Sequence, residues 1–91
     1  MPKVTLKGFI LVPESDLELV QTELVNHTRL TLEETGCITF SVIQNPENPL
    51  RFDVYEEFED KESFELHQQR VKASYWGKVT VNVERHYEIL G

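Results

Sequence analysis

Ninety-one residues make one domain, residues 1–91, with no room for a second; a chain this short buries only about 60–65% of the surface its unfolded form exposes, so its core is thin. A net charge of −7, with Arg70, Lys72 and Lys78 the loosest basic grouping, argues against a partner held by phosphate contacts, so no nucleic acid is expected. Cys37 is the only cysteine, which rules out an intrachain disulfide, and no apolar run approaches the ~20 residues of a membrane helix.

Met1-Pro2-Lys3 leads straight into an alternating pattern with no apolar leader core and no small-residue cleavage site, so a cytoplasmic location is the expectation. Lys3 to Val12 reads as a strand: Val4, Leu6, Ile10 and Val12 share one parity, Phe9 and Leu11 the other. Both faces of its second half are apolar, which suits a central strand, and Pro13 closes it. Ser15-Asp16-Leu17-Glu18 matches a capping box. The helix it opens sets Leu17, Val20, Leu24, His27, Thr28 and Thr31 along one stripe and ends before Gly36, a natural residue just past a helix end.

Cys37 to Gln44 is a second strand, with Ile38, Phe40 and Val42 on one face. The turn chemistry of Asn45 to Pro49 leads to a third strand, Arg51 to Phe58, with Phe52, Val54, Glu56 and Phe58 on one face. An antiparallel hairpin is the natural connection. Asp60 caps a second helix over about 61–70, with Phe64, His67 and Val71 on its inner stripe. Its continuation through Ala73, Tyr75 and Trp76 is less regular, and Gly77 is expected to break it. Lys78 to Leu90 reads as a last strand, in which Val79, Val81, Val83, Tyr87 and Ile89 alternate with polar residues.

The order βαββαβ is the split βαβ pattern, an α+β fold of ferredoxin-like type with a four-stranded antiparallel sheet. Two helices cover one face of such a sheet. Phe9, Leu11, Ile43 and Tyr55 fall on the other, which leads us to expect self-association through the sheet.

A helix carrying His27, the segment Glu34-Thr35-Gly36-Cys37 entering an aromatic strand at Phe40, and the turn Asn45-Pro46 follow one another in this chain. Phe52, the pair Tyr55-Glu56, the cap Asp60, Phe64 and His67 complete the series. Together they resemble the antibiotic biosynthesis monooxygenase superfamily over nearly the whole chain. The resemblance implies a dimeric α/β barrel in which two sheets pack face to face, with a pocket in each subunit between sheet and helices. Its members include cofactor-independent quinol or polyphenol monooxygenases, a haem-degrading branch, and an isomerase-like branch acting on a phosphorylated signalling sugar. The haem pattern is not followed: the first strand offers no Asn, His67 stands where a Trp belongs, and Trp76 falls near the place of the iron-ligating His.

His67, on the inner stripe of the second helix, has the chemistry of a general base toward a phenol-like hydroxyl; the plain alternative is a core histidine bonded to a backbone carbonyl. His27 lies on the inner stripe of the first helix and can face it across a pocket, or simply be a hydrogen-bonded helix residue. Glu56 has core parity, where a carboxylate is unfavourable unless paired, so it either orients a histidine or holds the fold. Phe40, Phe64, Tyr75 and Trp76 are candidates to line a pocket for a flat ligand, although aromatics at these spacings are commonly plain core. Trp76, where the helix frays, can act as a lid. The histidines lack metal-site spacing, His86 has outward parity, and Cys37 has no basic neighbour to activate it, so no metal and no nucleophilic thiol are expected.

The resemblance thus leads to a cofactor-free monooxygenase acting on a quinol or polyphenol with O₂, with His67, His27 and Glu56 as the reacting side chains. The alternatives are isomerisation of a phosphorylated sugar, for which only Arg70, Lys72 and Lys78 supply cations, and a dimeric small-molecule-binding module without turnover.

Overall fold

The computed structural model describes residues 3–91, so the Met1-Pro2 lead-in lies outside the described residues. The chain runs β1 (Val4–Leu11), α1 (Leu17–Leu32), β2 (Cys37–Gln44), β3 (Arg51–Phe58), α2 (Lys61–Ala73), a short α3 (Tyr75–Val79) and β4 (Glu84–Leu90). The strands form one sheet in the order β2-β3-β1-β4, every neighbouring pair antiparallel. This is the ferredoxin-like split βαβ arrangement, with β3 lying between the strands that α1 connects.

The alternation in β1 and β3 builds the core. Val4, Leu6 and Ile10 pair across the sheet with Phe58, Glu56 and Phe52, and all six side chains are buried against the helices. Val20 of α1, Phe64 of α2, and Trp76 and Val79 of α3 close over them. Asp60 caps α2 as its position implies: its backbone is extended and its Oδ1 accepts the Ser63 N–H at 2.8 Å.

Several local expectations fail for identifiable reasons. The Ser15 capping box does not form, because Glu14–Asp16 is a 3-10 turn with the Asp16 N–H bonded to the Pro13 carbonyl, and α1 begins only at Leu17. Gly36 is not in the left-handed conformation; α1 ends at Leu32 and tight turns through Glu34 follow. Gly36 instead permits a close approach, since a Cβ there would land on the Ser63 side chain in the first turn of α2. Ile38 leaves the inner face: a bulge between Cys37 and Thr39 turns it out, half exposed, while Phe40 stays buried.

The largest departure lies after α2. Gly77 does not break the helix; Ser74 does. Its Oγ donates to the Val71 carbonyl at 2.7 Å and accepts the Gly77 N–H at 3.3 Å, ending α2 and capping α3. Residues 78–83 are therefore helix end and turn rather than strand, with the Thr80 hydroxyl closing on the Trp76 carbonyl at 2.7 Å. Val79 and Val83 remain buried, but Val81 is exposed.

The opposite sheet face is mixed. Ile43 and Tyr55 are exposed there, and Phe9 stacks on His86 at 4.7 Å beneath the Arg51 guanidinium. Beside them Glu57 accepts hydrogen bonds from Lys3, Thr39 and Tyr55. His86 thus has the outward parity its place in the sequence indicates.

Candidate active site

Three elements deliver one buried polar cluster. The inner stripe of α1 carries His27 and, about one turn on, Thr31; α2 carries His67 and, one turn on, Arg70; the inner row of β3 carries Glu56 between Val54 and Phe58. His27, Glu56 and His67 are all less than a tenth exposed.

Glu34, in the turn after α1, ties the cluster together. Its two carboxylate oxygens lie 3.0 and 3.1 Å from His67 Nδ1, and Oε2 also accepts from Arg70 Nε. Arg70 Nη2 donates in turn to Thr31 Oγ1 at 2.9 Å. A carboxylate clamped by a guanidinium is an acceptor only, so Nδ1 is the protonated nitrogen of His67. Its Nε2 is left as a lone pair, 3.5 Å from Glu56 Oε1.

Burial sets the protonation states. It lowers the His67 pKa, the Glu34 carboxylate opposing, so the ring is a neutral acceptor at neutral pH. It pushes Glu56 up to about 7, helped by the nearby Glu34 charge, and takes His27 down to about 3, helped by His67 and Arg70. The Glu56–His67 contact is accordingly a carboxyl group that titrates near neutral pH beside a neutral imidazole, rather than a fixed ion pair. Among the described residues, His27 Nδ1 and Glu56 Oε1 have no hydrogen-bond partner.

These groups border a cavity of about 180 Å³ between sheet and helices. His27, Glu56, His67 and Trp76 all line it. Trp76 stacks flat on His27 at 4.5 Å, and Phe40 packs edge-on behind His27 at 5.3 Å. Leu6, Ile10 and Val83 supply apolar wall. From the far side come Arg85, whose Nη2 donates to the Thr80 carbonyl and hydroxyl at 3.1 and 3.2 Å, and Tyr87, whose phenol burial pushes up to about 12.

Of the four aromatic candidates Trp76 alone lines the cavity; Phe40 packs on His27 without lining it, and the other two lie elsewhere. Phe64 is core, packed on Phe58, and Tyr75 points outward, about half exposed, because α3 buries Trp76 instead. Cys37 is partly buried and its thiol is pushed up by burial and by Glu34 and Glu56, which keeps it protonated. Sequence reasoning gave no role to Glu34, Arg85 or Tyr87 and treated Arg70 only as a loose cation. Arg70 carried a usable signal, standing three residues after His67 on the same helix face.

A family model described as antibiotic biosynthesis monooxygenase matches residues 4–76, from β1 through Trp76. No curated protein matches the sequence. A conserved protein of unknown function from Bacteroides thetaiotaomicron, described as a possible oxidoreductase, superposes with a TM-score of 0.82 at 22% identity, over 97% of this chain and 95% of that one. A Pseudomonas aeruginosa protein gives 0.80 at 19% identity, over 99% and 91%. A Nitrosomonas europaea protein provisionally described as an antibiotic biosynthesis monooxygenase gives 0.78 at 17%, over 97% and 85%. At these identities the likeness is one of fold.

The Glu56 environment has a measurable consequence. Its folded pKa, about 7 against an ordinary 4.5, favours the acid form, so its stabilising contribution is full below about pH 4.5 and is lost as pH rises through 7. Glu56→Gln should therefore gain on the wild type by about 2 kcal/mol between about pH 5 and pH 8 in urea unfolding. A difference between the two proteins that does not change with pH would show that Glu56 titrates as an ordinary carboxylate.

Proposed function

The chain belongs to the antibiotic biosynthesis monooxygenase family, and from that premise we propose that it oxidises a quinol or polyphenol with O₂, without a cofactor, in the cavity beside His67. The observation that carries this reading is the buried His67 imidazole, kept neutral by burial, held at Nδ1 by Glu34 and lining the cavity with its Nε2 3.5 Å from Glu56. That is a base already in the form needed to take a hydroxyl proton.

The reaction then runs on modest protein chemistry. His67 Nε2 takes the proton of a ring hydroxyl, and Arg85, a fixed cation on the cavity wall, favours the phenolate. The electron-rich anion passes one electron to O₂, and the radical pair recombines to form a carbon–oxygen bond. His67 returns its proton to the peroxide; the O–O bond breaks with loss of the ring C–H proton, giving a quinone carbonyl and water. One oxygen atom stays on the ring and the other leaves with two hydrogens. His27 and Glu56 are the remaining reacting side chains, placed to hold substrate oxygens, while Trp76, stacked on His27, keeps the wall dry.

The cation pattern speaks against a phosphorylated sugar. Arg70 is bound to Glu34 and Thr31, Lys72 and Lys78 do not line the cavity, and Arg85 shares its lining with Glu56.

The same reading pairs two copies through the outer sheet face, where Ile43 is 63% exposed beside Phe9, Leu11 and Tyr55. Sedimentation equilibrium should give twice the chain mass at micromolar concentration, and Ile43→Lys should shift it toward the monomer. A wild-type monomer under those conditions contradicts the pairing.

Protein freed of flavin and metal should raise O₂ uptake above background with at least one quinol in a panel. His67→Gln, still folded by circular dichroism, should lower kcat by about 10²-fold or more. Uptake that never exceeds background, with ligands that stabilise the protein yet emerge unchanged, would make it a binding module.

A further inference from the structure

The cavity's size and polar atoms say more about its ligand than the family does. Cavities of roughly 150 Å³ take up one benzene ring, and this one, at about 180 Å³, adds room for small substituents but not a second fused ring. Its wall is not uniformly greasy. His27 Nδ1 and Glu56 Oε1 are buried without a partner among the described residues, on side chains that both border the cavity. Buried groups of this kind favour ligands that pair with them and reject analogues that do not.

The two imidazoles fix how such a ligand presents itself. Their ring centroids are 6.1 Å apart, too close for an aromatic ring to stand between them, so both belong to one wall. Two hydroxyls that meet this wall together must sit on one edge of the ring, on neighbouring carbons or one carbon apart. Hydroxyls at opposite ends of a ring bring only one to it.

We infer that the cavity takes a single aromatic ring with two hydroxyls on one edge, of which a catechol is the most compact, and that these meet His67 with Glu56 on one side and His27 on the other. Only the ligand's role as substrate rests on the function proposed above. Arg85 and Tyr87 from β4 face the same space, and Arg70 and Glu34 act behind His67.

Trp76 is the only tryptophan and lies on His27, so its fluorescence locates binding while calorimetry measures affinity, both without O₂. Methylcatechol should bind at least about tenfold more tightly than hydroquinone or a two-ring naphthalene diol with adjacent hydroxyls, and toluene should bind least. His27→Phe, which keeps the stack on Trp76, should reduce the preference for methylcatechol over hydroquinone to about twofold or less. Equal or tighter binding of hydroquinone or of the naphthalene diol, or no binding by any catechol, overturns the inference. Catechols that bind in the expected order but consume no O₂ when air is admitted leave this site standing and remove the monooxygenase reading instead.

Discussion

A charged side chain taken out of water must be paired, and in this protein that requirement is met by one chain of contacts, Arg70 to Glu34 to His67. Arg70 is anchored to α1 through Thr31, so the same contacts dock α2 on the end of α1. Gly36 belongs to this arrangement, since its missing side chain lets the first turn of α2 close on the loop that carries Glu34. The site and the helix packing are therefore one structural device. Glu34 acts as the orienting group for the imidazole, the role its pairing with a protonated ring nitrogen defines.

The rest of the chemistry follows from low dielectric. Burial acts in opposite directions on acids and bases, raising Glu56 and lowering His27 and His67. Near neutral pH this leaves proton-accepting nitrogens beside a carboxyl group that titrates in the same range, which suits a step that removes a proton and later gives it back. Arg85 and Tyr87 enter the cavity from β4, outside the residues 4–76 that the family model matches.

Much of this was legible in the sequence, wherever a local period carried the information. Both β2 and β3 have the bounds their alternation implies, Asp60 caps α2, and the inward parity of His27, His67 and Glu56 brings all three to one cavity. What was not legible depends on contacts between distant positions. Glu34 and Arg70 stand 36 residues apart, and no local pattern links them. Val79, Val81 and Val83 alternate as a strand would, but Trp76 packing on His27 and the Ser74 cap hold residues 75–79 in a helix. Ile38 was lost to a bulge, which shifts parity without a sequence mark at the residue itself.

Everything depends on which nitrogen of His67 carries the proton. Long-range ¹H–¹⁵N correlation spectra of the imidazole at neutral pH read this directly. The expected result is a neutral ring protonated at Nδ1, converting toward a tautomer mixture in Glu34→Gln. A wild-type ring protonated at Nε2, or a full imidazolium at neutral pH, would contradict the account, since no lone pair would then face the cavity.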